Sequence, residues 1–167
     1  MTDIRFIAIR THEHERFVRD ILERDAEYFH FDSRVDLASA AGPEQWNMLV
    51  VTPAGTPVGF GRLRYQTNVG VLVATYCVAE AYRRQGIGTA ILDRLHTLAT
   101  SLGHGFGAAV YALNRPSLAL CTKHFGRELY RGEVEGKEVV VFGDYDPAHP
   151  PTAHVPTNAD NTHAIGG

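Results

Sequence analysis

The segment YRRQGIGTAI, Tyr82 to Ile91, sets two arginines beside two glycines one residue apart and runs straight into a periodic apolar stretch. Ile87, Ile91, Leu95, Leu98 and Leu102 recur at steps of four, four, three and four, the spacing of one face of an α-helix. The segment is therefore a helix N-terminus, where the first turn leaves backbone N–H groups unpaired and the peptide dipoles place partial positive charge. Gly86 and Gly88 lack the Cβ atoms that would hold a ligand away, and Arg83 and Arg84 add full positive charge. Arg83, Arg84, Gln85, Gly86, Ile87, Gly88 and Thr89 thus form a candidate cradle for a pyrophosphate. Two glycines alone fit a plain turn beside solvated arginines equally well. Two other phosphate loops are excluded by the residues themselves. No Gly-Lys-Ser/Thr follows, as a Walker A loop needs, and Ile91 stands where a dinucleotide fingerprint has its third glycine.

Upstream, WNMLVVT (Trp46–Thr52), PVGFGRLRY (Pro57–Tyr65) and GVLVATYCV (Gly70–Val78) read as strands. The links PAGT and QTN are short and turn-like, which predicts an antiparallel meander. Before them, IRFIAIR (Ile4–Arg10) alternates as a strand does, and Thr11 is placed to cap a helix carrying Phe17, Ile21, Leu22 and Phe29. Downstream, GHGFG ends the periodic helix. A strand is expected at Ala108–Asn114, and a short helix at Arg115–Gly126 with Pro116 in its first turn. A closing hairpin turns at Glu135-Gly136. The expected order is β-α-β-β-β-α-β-α-β-β, with room for a further helix within Ala26–Gln45.

The 167 residues are enough for one domain with a real core. A net charge of −3 argues against a broad nucleic-acid footprint. Two cysteines, Cys77 and Cys121, are too few for a disulfide scaffold. No apolar run approaches the roughly 20 residues of a membrane span. The N-terminal residues lack the apolar core of a signal peptide, so the expected compartment is the cytoplasm. From Pro147 onward, PAHPPTAHVPTNADNTHAIGG has almost no large apolar residues and is expected to be a disordered tail. Its histidines, His149, His154 and His163, read as solvated. His12 and His14 point different ways on their helix, so no metal site is expected.

Arg83-Arg84-Gln85-Gly86-Ile87-Gly88 resembles the pyrophosphate loop Arg/Gln-x-x-Gly-x-Gly/Ala of the GNAT superfamily of acyl-CoA-dependent N-acyltransferases, and the preceding YCVAEAYR resembles that family's strand and loop. A second signature, Asn-x-x-Ala-x-x-x-Tyr, is kept in part: Asn114 fits, Ser117 replaces alanine, and Cys121 stands in the tyrosine position. The resemblance implies an α/β (α+β) fold: a mixed, mostly antiparallel sheet with a splayed central strand pair, flanked by helices. It implies a GNAT N-acetyltransferase domain over 1–146, with 147–167 as the tail.

The resemblance also implies a chemistry. Acetyl-CoA is the co-substrate, attacked directly by a primary amine of a small molecule or peptide. The fourth strand leaves the fifth at a bulge, and main-chain groups of Cys77, Val78 and Ala79 pair with the pantetheine arm. A backbone N–H such as that of Val78 polarises the thioester carbonyl. Residues Arg83 to Thr89 hold the pyrophosphate, and Asn114 and Ser117 contact the pantetheine or adenine side. Tyrosine at position 121 would be the general acid for the leaving thiolate. Cys121 could donate in its place or be an inert packed residue, with Tyr76 and Tyr111 as alternative acids. Glu80 is the candidate base, or an exposed loop carboxylate. The acceptor would meet ERDAEYFHFDSRVD, whose Asp25, Glu27, Asp32 and Asp36 interleave with Tyr28, Phe29 and Phe31. A homodimer is compatible with this picture. A CoA-binding protein without catalysis, another acyl-CoA donor and a nucleic-acid acceptor are the alternatives.

Overall fold

The computed structural model describes residues 2–29, 44–67 and 69–148. Seven strands and three helices appear among them: β1 (Arg5–Ala8), α1 (His12–Arg24), β2 (Gln45–Val51), β3 (Pro57–Gln66), β4 (Val71–Val78), α2 (Ile87–Ser101), β5 (Phe106–Tyr111), α3 (Arg115–Phe125), β6 (Glu128–Val134) and β7 (Lys137–Gly143). Short 3-10 turns follow α1 at Ala26–Tyr28 and β4 at Glu80–Tyr82. The element order is the expected one. The further helix expected within Ala26–Gln45, together with Phe31, Asp32 and Asp36, lies outside the described residues, as do 149–167 and most of the expected tail.

The sheet runs β1-β2-β3-β4-β5-β7-β6. All neighbours are antiparallel except β4 and β5, which are parallel. This is the mixed, mostly antiparallel sheet flanked by helices that the sequence implies. Strand β2 is buried at every residue because both faces are covered. Met48 and Val50 join the core under α2, while Leu49 and Val51 meet Val18, Ile21 and Leu22 of α1. On α2 the predicted stripe is confirmed at Ile87, Ile91, Leu95 and Leu98, and Leu92 and Ala99 widen it. Gly61 is what lets α2 lie so close: a Cβ there would come within 2.8 Å of Ile91 Cγ2.

Several boundaries shift. The strand expected at Ile4–Arg10 spans Arg5–Ala8, and Phe29, expected on the first helix, lies beyond it because α1 ends at Arg24. The strand expected at Ala108–Asn114 spans Phe106–Tyr111, because Asn114 is taken as the N-cap of α3, its side chain accepting from the Ser117 amide at 3.4 Å.

The central pair separates. β4 and β5 are in register only from Leu72 to Ala74 against Phe106 to Ala108. Beyond that, β4 stays with β3 as far as Val78, and β5 stays with β7 as far as Tyr111. The expected bulge is absent: β4 keeps unbroken register with β3 from Val71 to Val78. Each strand simply follows its outer neighbour, and the sheet opens between them.

Helices α2 and α3 are tied together beside the start of β5, at the paired end of the β4–β5 ladder, by a chain of titratable groups. His96 Nδ1 lies 2.9 Å from His124 Nε2, His96 Nε2 lies 2.8 Å from Asp144, and His124 Nδ1 lies 3.2 Å from Asp93. Asp144 also accepts the Phe106 amide at 2.7 Å, which pins the chain to the start of β5. Burial, and then the neighbouring His96, hold the His124 pKa below its usual 6.5. The folded state therefore resists protonating His124, and stability that is present above pH 6.5 is lost as pH falls through the lowered value. Between pH 7.5 and 5 the melting temperature should fall, and His124→Gln should flatten that fall. An unchanged slope in the variant would count against this assignment.

Candidate active site at the strand split

Where β4 and β5 part, a cleft of about 420 Å³ opens. Thr75 and Tyr76 of β4, Val110 and Tyr111 of β5, Asn114 at the cap of α3 and Ser117 within it line it, and Tyr28 and Phe29 close one side. Residues brought together here are far apart in sequence.

Register decides which main-chain groups face the split. The Ala79 amide donates to Val58 O at 2.8 Å, and Gly59 is opposite Val78. In an antiparallel ladder this makes Gly59–Val78 and Gly61–Tyr76 the non-hydrogen-bonded pairs, so N–H and C=O of Val78 and Tyr76 point away from β3 and into the split. Cys77 spends its main chain on Phe60, and Ala79 its amide on Val58. Of Cys77, Val78 and Ala79, Val78 alone keeps both groups on the open edge, and Tyr76, named only for its side chain, shares it. The Cys77 side chain lies on the opposite face, buried against the α1 core.

The helix-opening segment Arg83–Thr89 is built as its residues predict, with one change. Gly86 caps α2 at φ +81°, a left-handed conformation that suits glycine, and Arg84 also has positive φ at 61°. The first intrahelical bond runs from the Ala90 amide to Gly86 O at 3.0 Å, so the amides of Ile87, Gly88 and Thr89 begin the helix. A Cβ on Gly88 would lie 3.3 Å from Leu120 and 3.9 Å from Val78, which sets this turn directly beside the open edge of β4. Arg84, Gln85 and Thr89 are exposed. The change is Arg83. Its Nε donates to Val78 O at 3.1 Å and its terminal nitrogen donates to Asp25 at 2.6 Å.

The hydroxyl chemistry of the cleft comes from Tyr76 and Ser117, whose oxygens are 2.6 Å apart. Cys121 Sγ lies 3.5 Å behind the phenol and is completely buried. Burial pushes the Cys121 thiol up to about 11. Burial, with the Cys121 thiol adding to it, pushes the Tyr76 phenol well above its usual 10.0, so both groups hold their protons at neutral pH. Of these three, Tyr76 and Ser117 line the cleft and Cys121 does not. Tyr111 lines it from β5, its hydroxyl 3.4 Å from Glu135. Glu80 is exposed on the 3-10 turn after β4 and is not among the lining residues. Among the described residues no cluster of His, Cys, Asp and Glu is arranged to hold a metal ion, and no helix is long and apolar enough to cross a membrane.

Asp25 is the residue whose role sequence reasoning misses. Its neighbours in the chain mark it as part of an acidic acceptor surface, yet it is 8% exposed and binds Arg83 and, at 3.3 Å, the Cys77 thiol. Nothing local in the sequence signals a pairing across 58 positions.

A family model described as the acetyltransferase (GNAT) family matches residues 9–126. No curated protein matches the sequence. Solved structures share the fold at low identity. A GCN5-related N-acetyltransferase from Kribbella flavida is 15% identical with a TM-score of 0.71, covering 84% of this chain and 96% of its own. A ribosomal-protein-alanine N-acetyltransferase from Escherichia coli is 19% identical with a TM-score of 0.63, covering 84% and 92%. A spermidine/spermine N-acetyltransferase from Vibrio cholerae is 12% identical with a TM-score of 0.66, covering 84% and 92%.

Gly88 offers a test of the cradle that separates binding from folding. Aspartate in the first turn of a helix is favourable, but its Cβ would press on Leu120 at 3.3 Å, so Gly88→Asp should fold with a modestly lowered melting temperature, and circular dichroism checks that it is folded. It should nonetheless weaken acetyl-CoA binding by at least about 2 kcal/mol, the scale of losing charge-assisted hydrogen bonds. Equal affinity by calorimetry would remove the phosphate reading of this turn.

Proposed function

From the premise that the chain belongs to the acetyltransferase (GNAT) family, we propose that it moves the acetyl group of acetyl-CoA to a primary amine of a small molecule or peptide by direct attack. The observation that carries this reading is the open edge of β4 beside the first turn of α2. An extended pantetheine arm can pair with the main chain of Tyr76 as an added strand does, which leaves the Val78 amide for the thioester, while the pyrophosphate meets the amides of Ile87, Gly88 and Thr89. Arg84 supplies the exposed charge. We assign residues 1–146 as the unit that carries the reaction and 147–167 as an appendage to it, and the two free, buried cysteines support a cytoplasmic setting.

The acceptor nitrogen attacks the thioester carbon. A C–N bond forms, the C–S bond breaks, and the sulfur leaves as a thiolate. We assign the Val78 N–H, which faces the split, to the oxyanion. Tyr76 is the group we assign as the acid. It lines the cleft, holds its proton, and is backed by Ser117, which can pass a proton to the phenol oxygen as the phenol gives one to sulfur. The proton lost by the attacking nitrogen balances the one gained by sulfur. Cys121 then serves as packing behind the phenol. Glu80 can act only through water, since it stands off the cleft. Acceptors with an unhindered amine, including polyamines, amino acids and peptide N-termini, fit an opening that is walled by tyrosine, phenylalanine and small β5 residues.

Thiol release from acetyl-CoA in the presence of a panel of such amines tests the proposal; binding of acetyl-CoA without turnover on any of them would favour a non-catalytic CoA-binding role. With an accepted amine, Tyr76→Phe should lower kcat by roughly 10²-fold, within the range of general acid catalysis, while Cys121→Ala should change it little. Because burial keeps the phenol protonated, kcat/KM should rise with pH as the amine loses its proton and show no falling limb up to pH of about 10. The opposite ranking of the two variants would return the acid to Cys121.

A further inference from the structure

Arg83 is the first residue of the phosphate loop, and the obvious use of its charge is the pyrophosphate. The geometry assigns it elsewhere. Its guanidinium faces the body of the protein, with Nε on the carbonyl of Val78 and a terminal nitrogen on Asp25. Asp25 is the residue that ends α1, its amide bonded to Ile21 O at 3.1 Å, and its carboxylate also accepts from the Cys77 thiol of β4. The turn Ala26–Tyr28 follows it at once and brings Tyr28 and Phe29 to the cleft wall. The Asp25 side chain is 11% exposed and that of Arg83 42%. The carboxylate is therefore the buried anchor and the guanidinium the strut reaching out from it.

Three parts meet at this pair: the phosphate loop through the Arg83 backbone, the open edge of β4 through Val78, and the acceptor side of the cleft through Asp25. A ligand that spans loop and edge binds well only if their separation is already set, since ordering them at binding costs affinity. We propose that Asp25 is a positioning residue that, through Arg83, fixes the phosphate loop against the open edge of β4. Arg83 acts as a strut in this arrangement and not as a phosphate ligand. The inference rests on the acetyl-CoA reading above and adds the role of Asp25 to it.

The two roles of Arg83 predict opposite signs. If Arg83 bound phosphate, Asp25→Asn would release a cation and remove a competing anion, and acetyl-CoA would bind more tightly. If Arg83 is a strut, the same change frees it from its anchor, and acetyl-CoA should bind about ten-fold more weakly. Arg83→Lys separates them again. Lysine keeps a charge suited to phosphate, but a single ammonium cannot reach both Val78 O and Asp25 as the forked guanidinium does. The strut predicts a loss like that of Asp25→Asn, and the double variant should be no worse than either single.

Calorimetry with acetyl-CoA, run beside a titration with S-acetyl-pantetheine, tells the two roles apart. The fragment lacks the pyrophosphate and touches only the edge, so its affinity should stay within about two-fold in all three variants. Equal or tighter acetyl-CoA binding by Asp25→Asn, retained affinity in Arg83→Lys, multiplying effects in the double variant, or a parallel loss of the fragment would each overturn the strut. Should Asp25→Asn fail to fold, Arg83→Lys at the more exposed partner is sufficient by itself, since weakened acetyl-CoA binding supports the strut and retained binding overturns it. Failure of the unaltered protein to bind acetyl-CoA would overturn the functional reading and the strut together, whereas binding with any contrary variant result overturns the strut only.

Discussion

A sheet that opens between two of its own central strands has to find partners for the main-chain groups it exposes. This is the constraint on which the molecule turns. After Ala74 and Ala108 the ladder between β4 and β5 ends, and the N–H and C=O groups of Tyr76 and Val78 have no strand beside them. One group is answered within the protein, and other elements crowd up to the rest. Arg83 takes one carbonyl, Tyr76 reaches across to Ser117, and the start of α2 is brought beside the edge by the absence of side chains at Gly61 and Gly88. The groups left over are the ones that an extended ligand can use.

The helix stripe on α2 and the meander of β2, β3 and β4 were legible because both rest on local spacing, and local spacing is what a sequence displays. The helix start at Gly86 was legible for the same reason, since its glycines and its helix lie within one short stretch. The phase of hydrogen bonding along β4 was not. Neighbouring residues in a strand present their main chain to opposite sides, so moving from Cys77 to Val78 exchanges one partner strand for the other. Only the pairing with β3 settles which is which. The Asp25–Arg83 contact and the Tyr76–Ser117 contact were hidden more deeply, because each joins elements that meet only once the sheet is assembled. The start of β5 at Phe106 was missed because Gly105 and Gly107 read as the end of the preceding helix, although a Cβ at Gly107 would come within 2.8 Å of the neighbouring carbonyl of Phe142.

The substitution at Cys121 becomes intelligible in this setting. A thiol in the first row behind the cleft is small enough to leave room for the phenol of Tyr76, which approaches from the opposite element and occupies the space in front of it. Helix α3 keeps the Asn114 cap of the signature, with Ser117 in the alanine position and Cys121 in the tyrosine position. In the proposed reaction the hydroxyl has changed carrier, from a helix to a strand, while remaining at the mouth of the same opening.

That change of carrier alters what the reaction depends on mechanically. Tyr76 and Val78 sit two residues apart on one strand, a fixed span of about 7 Å. In the proposed mechanism the proton donor and the oxyanion donor therefore ride on a single rigid rod, laddered to β3 along its whole length. A helix that rocks against the sheet would carry a helix-borne acid with it and detune the two groups from one another. Here such rocking moves Ser117 and leaves the pair in tune. Thermal motion of the helical layer is decoupled from the spacing of the two groups that act on the thioester, and the loosest tolerance in the site falls on the proton supply behind the phenol.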